Sequence, residues 1–166
     1  MSSLDENLHD SQTIDEHLIS FFQDGARMLG LPKSIGEIYG LLYVSRQPLT
    51  MLNLTEKLQI SKGSTSQGLK MLRTFGAVNE VSMDNDRKTY FEANYELKKL
   101  VGGFIREEIR PHLKSGQNKL QALEKELVDI SDPEDLLFYK ERIERLNRWS
   151  SRANKVLPVI QKLLGQ

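Results

Sequence analysis

The chain of 166 residues reads as mainly α-helical with one short β-hairpin, and three observations carry that reading. Apolar residues recur three and four apart over most of its length. Between Thr50 and Arg73, two short helical patterns each open on a hydroxyl residue. From Val78 to Ala93 the pattern changes to alternation, interrupted by a turn cluster.

Taken in order, Met1 to about Ser11 is a polar tail, and Ile14, Leu18, Phe21, Phe22, Met28 and Leu29 give helical spacing up to Gly30. Leu31-Pro32 breaks that helix and Lys33-Ser34 opens the next. Ile35, Ile38, Tyr39, Leu42 and Tyr43 form its stripe, beside a smooth track made by Gly36 and Gly40. Two glycines cost helix propensity, which close packing of a second helix would offset; a small-ligand crevice is the alternative. Gln47-Pro48 closes this helix.

Thr50 then caps a helix with Leu54 and Leu58 on one face, and Ser61 caps another with Thr65, Leu69 and Leu72 inward. The opposite face of the second helix carries Gly63, Ser64, Ser66, Gln67, Lys70 and Thr74, bordered by Lys62 and Arg73, and no large apolar residue. Small hydroxyls, an amide and cations suit a polyanion and its base edges. Phe75-Gly76 ends the helix; Val78–Ser82 and Arg87–Ala93 are the strands, joined through Met83–Asp86, with Arg87 and Lys88 beside the tip. Helix, turn, helix and hairpin together predict a winged helix-turn-helix with a two-stranded wing, and hence double-stranded DNA as the partner. A solvated face on a plain helical hairpin is the simpler reading of the second helix alone; the wing decides against it.

Past the wing, Asn94 caps a helical region whose apolar face runs from Leu97 to Ile109, and Pro111 after Gly102-Gly103 predicts a kink or break. Leu113, Leu120, Leu123, Leu127 and Ile130 continue the spacing. Asp132-Pro133 is a stop and restart, and Leu136, Tyr139, Ile143, Leu146, Ser150, Ala153, Leu157, Ile160 and Leu164 follow in a three–four repeat, the last of them outside the residues the structure describes. Two such segments form a long helical hairpin that leaves apolar surface for a partner copy. Leu120, Leu123, Leu127, Leu136, Ile143, Leu146, Leu157 and Ile160 are the expected homodimer contacts. The organisation expected is residues 1–30 as a tail and a helix packing on the dimerisation region, 31–94 as the winged helix-turn-helix, and 95–166 as the helical dimerisation region.

Charge and composition narrow the function further. Lys and Arg total 23 against 23 Asp and Glu, but no Lys or Arg precedes Arg27, so the remainder is basic. Asp84 and Asp86 sit in the wing, which predicts modest, salt-sensitive DNA affinity. Without cysteine there is no disulfide or thiolate site, and no apolar run reaches membrane-span length, so a cytoplasmic protein with no membrane partner is expected. His9, His17 and His112 lack ligand spacing, and no nucleophile–base pair or phosphate loop is visible, so neither enzyme, metal site nor cofactor is expected.

Leu31–Ser45, Pro48–Thr50, Ile60–Ser66, Phe75–Val78 and Arg87–Phe91 resemble the GbsR-type branch of the MarR-like transcriptional regulators. The resemblance runs from Leu31 to Ala93 by motif and through the C-terminal helices by pattern only. It implies a homodimeric winged-helix repressor reading a pseudo-palindromic operator, with a small-molecule effector in some members. Ser61, Lys62, Gly63, Ser64 and Ser66 match the start of the family's recognition helix, and Arg87 and Lys88 its wing. Gln67-Gly68 departs from the bulkier pair expected there, and Asp84 and Asp86 replace a glycine-rich or basic tip. Some members respond to choline or glycine betaine, which an aromatic cage would hold. Phe21, Phe22, Tyr39, Tyr43 and Trp149 are the aromatic candidates, Tyr39 and Tyr43 foremost, although they also sit at helical core spacing. The rival reading is a winged-helix protein-interaction module, favoured by the acidic wing and neutral total charge.

Overall fold

The computed structural model describes residues 3–84 and 86–163, with side chains from Gln12 onward. It contains α1 (Ser3–Met28), α2 (Lys33–Val44), β1 (Leu49–Thr50), α3 (Met51–Leu58), α4 (Lys62–Thr74), β2 (Val78–Val81), β3 (Tyr90–Ala93), α5 (Leu97–Phe104), α6 (Arg110–Glu126) and α7 (Pro133–Leu163). The chain divides into two compact units, one ending at Leu100 and the other beginning at Val101.

In the first unit α1 starts at Ser3, so most of the expected polar tail is helical. α1 packs along α2 within this unit, and the two glycines make that possible. A Cβ on Gly36 would overlap the carbonyl of Phe22, and one on Gly40 would come within 2.8 Å of the Ile19 Cα. The Gly36–Gly40 track is therefore helix packing, with no room left for a ligand crevice.

α1 and α4 both end on a glycine at positive φ, Gly30 (72°) and Gly76 (74°). Leu31 N–H donates to the Ala26 carbonyl and Ala77 N–H to that of Leu72, each at the spacing that closes a Schellman turn. The sheet is antiparallel in the order β1-β3-β2, so the expected two-stranded wing gains Leu49–Thr50 as a third strand, paired with Tyr90–Phe91. Ile38, Tyr39, Leu42, Leu54, Leu72, Ala77 and Phe91 are buried in the core. The buried Tyr39 phenol donates to the Asn94 carbonyl at 2.7 Å, joining α2 to the end of β3, and burial pushes its pKa upward. Asn94 itself turns onto the N–H of Glu96 (3.1 Å), so it closes a turn ahead of α5 instead of capping it directly.

In the second unit, the break expected near Pro111 is a π-helical turn over Ile105–Ile109. Proline has no N–H to donate and its ring crowds the preceding turn; widening that turn removes the conflict without ending the helix, and Arg110 N–H reaches the Ile105 carbonyl. Leu127–Asp129 is a 3-10 turn, and Asp132 and Pro133 restart the chain as α7, with Leu136 N–H on the Asp132 carbonyl (3.0 Å). α6 and α7 pack as a hairpin, and Asn147 donates to Glu124 across it. No helix among the described residues is long and apolar enough to cross a membrane.

Candidate nucleic-acid interface

The site is built on two caps. Thr50 Oγ1 accepts from Asn53 N–H (3.2 Å), while Asn53 Oδ1 accepts from Thr50 N–H (3.1 Å), a reciprocal box that fixes the start of α3. Ser61 Oγ accepts from Ser64 N–H (3.1 Å) and fixes the start of α4. Between them Gln59 takes a left-handed conformation (φ 53°), which turns the chain sharply from one helix to the next. A polar joint underlies this turn. Thr65, fully buried, donates to the Ser61 carbonyl (3.1 Å) and lies 3.0 Å from Thr55 Oγ1, which donates to the Met51 carbonyl (2.8 Å).

Gly68 explains its own departure from the expected pattern. It is buried, and a Cβ there would overlap the Ile38 side chain, so a small residue lets α4 seat against α2. With Thr65, Gly68, Leu69 and Leu72 inward, Ser61, Lys62, Gly63, Ser66, Gln67, Lys70 and Arg73 are all exposed. Ser64 is only half-buried and its hydroxyl lies 2.9 Å from that of Ser61, so its first role is in the cap. Arg73 is engaged with Glu80 of β2 at 2.7 Å, a partner seven residues away that helical spacing could not reveal.

Arg87 and Lys88 are exposed at the wing. Asp86, read from sequence as a weakening acidic tip, organises that tip. Its carboxylate accepts from the Tyr90 hydroxyl (2.7 Å) and from Lys88 N–H (2.9 Å). The Tyr90 hydrogen bond, then the Lys88 backbone bond, lower the Asp86 pKa, and the same bond raises that of Tyr90. A carboxyl whose pKa is lowered on folding lends order that is present above its unfolded pKa. That order is lost as pH falls through the folded value. The Tyr90→Phe substitution removes the largest cause, so the Asp86 carboxyl should titrate at higher pH in an NMR titration of its side-chain carbon; an unmoved titration would remove Tyr90 from this role.

Of the expected aromatic residues, Phe22 meets Tyr39 edge-on at 4.8 Å and Tyr43 at 5.0 Å. Tyr39 is 1% exposed, so its ring is core. Tyr43 is half-buried and continues to the exposed Tyr95 (5.2 Å), which sequence spacing did not single out. Phe21 and Trp149 are exposed, and Phe21 touches this cluster through Phe22.

Of the expected dimer contacts, Ile143 is buried in the protomer, which leaves it little surface for a partner. Leu123, Leu127, Ile143 and Leu146 line one apolar groove of about 460 Å³ between α6 and α7. Leu123, Leu146 and Ile160 are exposed, and Leu120, Leu127, Leu136 and Leu157 are half-buried. α7 exposes Leu146, Trp149, Val156, Ile160 and Leu163 along one side; Leu146 and Ile160 belong to the expected seam, and Trp149, Val156 and Leu163 lie beside it. α1 exposes a second, Ile14, Leu18, Phe21 and Met28. Among the described residues no group of three His, Asp or Glu side chains is placed to hold a metal ion.

Two capped helices at a sharp turn, backed by a three-stranded wing, define a winged helix-turn-helix protein. Comparison with known proteins agrees. The chain is 26% identical over 82 residues to the HTH-type transcriptional repressor OpcR of Bacillus subtilis (strain 168), over 49% of this chain and 44% of that protein. It is 27% identical over 109 residues to the HTH-type transcriptional repressor GbsR of the same organism, over 66% of this chain and 60% of that protein. The chain thus spans about half the length of the curated relatives it matches. The solved structure of a transcriptional regulator superposes with a TM-score of 0.62 at 22% identity, covering 94% of this chain and 96% of that one, a likeness of fold. No protein-family model matches. The GbsR-type resemblance carried by Leu31–Ala93 is thus met by sequence similarity to GbsR itself.

Proposed function

We propose that this chain is a sequence-specific DNA-binding transcriptional regulator, a homodimeric repressor that reads a pseudo-palindromic operator in the cytoplasm. The observation that carries the reading is the outer face of α4, where Lys62, Gly63, Ser66, Gln67 and Lys70 are exposed with no apolar anchor among them. A protein-binding helix would show such an anchor. The repressor names of OpcR and GbsR support the same reading.

In this mechanism two α4 helices enter successive major grooves about 34 Å apart. Lys62 and the N–H groups at the positive end of α4 hold phosphate, with Ser64 and Ser66 as hydroxyl donors alongside. Gln67 reads a base, since its amide pairs twice with adenine, and Lys70 reaches a guanine or a phosphate. Arg87 enters the neighbouring minor groove and Lys88 contacts backbone phosphate.

Charge and apolar pattern support the homodimer. From Arg145 to Leu163 α7 carries Arg145, Arg148, Arg152, Lys155 and Lys162 and no acid, around its exposed stripe. The exposed stripe of α1 is flanked by Asp15, Glu16 and Asp24. Complementary stripes of this kind are buried when two copies exchange contacts. A small-molecule effector acting near Tyr39 and Tyr43 would control the protein by favouring one spacing of the two α4 helices.

The test is binding of the full chain to its own upstream DNA and to a scrambled duplex at two salt concentrations. Preference for the upstream duplex that persists at the higher salt is expected. Equal and salt-labile binding to both would leave electrostatic attraction alone, and no binding would favour a protein-interaction module. The Gln67→Ala variant should lose ~1–3 kcal/mol of discrimination while keeping non-specific binding. An unchanged preference would take base reading away from Gln67.

A further inference from the structure

Along α4, Lys62, Ser66, Lys70 and Arg73 fall four, four and three residues apart, so they form one exposed row. No Asp or Glu lies within α4. The carboxylate that reaches the row comes from outside it. Glu80 on β2 holds Arg73 at 2.7 Å, with the two side chains 41% and 46% exposed. Lys70, Thr74 and Asn79 surround the pair on an open, shallow surface.

We propose that Glu80 limits the affinity of this protein for DNA by competing with phosphate for Arg73. The inference rests on the DNA-binding reading of α4 and deepens it. Arg73 ends the row of cations that would follow a phosphate backbone. A guanidinium forks onto a carboxylate or a phosphate with the same donors, so the two acceptors exclude one another. The pair is half exposed and hence weak, yet freeing Arg73 for phosphate would leave Glu80 uncompensated beside the polyanion, so in the wild type Arg73 stays on the carboxylate. The cost is the same for every DNA sequence, because a phosphate contact carries no base information. Glu80 therefore trims the sequence-independent hold and leaves discrimination to the residues nearer the start of α4.

The experiment compares wild type, Glu80→Gln, Arg73→Gln and the double variant on the upstream and scrambled duplexes over a range of salt concentrations. Thermal unfolding of each variant checks that it folds; the pair is exposed, so all four should. Glu80→Gln should tighten binding to both duplexes about fivefold, the worth of one exposed ion pair. It should also steepen the dependence of log K on log salt by about 0.9, the signature of one added phosphate contact. In the Arg73→Gln background the same substitution should do neither. An equal gain with Arg73 absent would mean that Glu80 acts by simple repulsion, and an unchanged salt slope would mean that Arg73 gains no phosphate; either result overturns the inference while leaving DNA binding intact. Failure of the wild type to bind either duplex would overturn the DNA-binding reading and this inference together.

Discussion

Gly36→Ala should lower the melting temperature by roughly 10 °C, while the same change at Gly25, eleven residues earlier in the chain, should raise it slightly. The contrast comes from what each added methyl would meet. At Gly36 it would enter the backbone of α1 at the Phe22 carbonyl, and a backbone cannot rotate away as a side-chain tip can. Separating α1 from α2 to make room forfeits contacts along both helices, including the Phe22–Tyr39 edge contact at 4.8 Å. Overpacking of this kind costs about 1–3 kcal/mol, and a rigid obstacle places Gly36 at the upper end. At about 2–4 °C per kcal/mol for a chain of this size, the shift reaches roughly 10 °C. At Gly25 nothing lies within 4 Å of the added carbon, and alanine improves helix propensity by up to ~1 kcal/mol. Thermal unfolding of the two variants settles the matter. A Gly36→Ala protein that melts with the wild type would contradict the close approach of α1 to α2.

If the proposed homodimer forms through α7, Trp149→Glu should leave the protein monomeric and reduce operator affinity by at least about a hundredfold. Trp149 is 64% exposed in the protomer, so a polar replacement removes little from its core, and protomer stability should change by no more than ~0.5 kcal/mol. In a dimer the same ring would be buried near the centre of the α7 stripe, between Leu146 and Val156, where an aromatic anchor weighs most and a new carboxylate would be desolvated. Binding to the proposed operator would suffer because each half-site would be held weakly. Linking two such contacts raises the effective affinity by ~10²–10⁴, and that gain vanishes with the dimer. Sedimentation or light scattering reports the mass, and circular dichroism reports the fold. A variant that remains dimeric would place the interface elsewhere, with Leu123 and the α6–α7 groove next to be tested.

The two predictions probe different layers of one design. Gly36 governs how α1 and α2 pack beneath α4, and Trp149 tests the proposed homodimer. Between them, the Asp86–Tyr90 bond sets the wing and the Arg73–Glu80 pair sets the edge of α4. An acidic residue in a wing proposed to contact DNA looks adverse when charge alone is counted. Its geometry gives it a different task, because Asp86 spends its oxygens on Tyr90 and Lys88 and leaves Arg87 projecting beside it.

The amino-acid sequence by itself determined the helix caps and the inward face of α4, whose causes lie within a turn or two of the chain. Thr50, Ser61 and Asp132-Pro133 mark helix starts because a cap acts on N–H groups two or three residues ahead. Gly76 marks the end of α4 because only its immediate backbone must turn left-handed. The buried side of α4 was legible as Thr65, Leu69 and Leu72 for the same reason, and so was the exposed side opposite. Tertiary structure decided what depends on chain segments meeting from a distance. Leu49–Thr50 is a strand only because Tyr90–Phe91 offers it backbone partners; two residues carry no alternation to read. Gly68 is small because Ile38, thirty residues earlier, presses on it, and Tyr39 is core because Asn94 accepts its hydroxyl 55 residues away. Which apolar side chains of α7 stay available for a partner is decided in the same way. A three–four repeat shows that α7 has an apolar side, but only its packing on α6 shows that Ile143 is consumed inside the protomer and Trp149 is left outside.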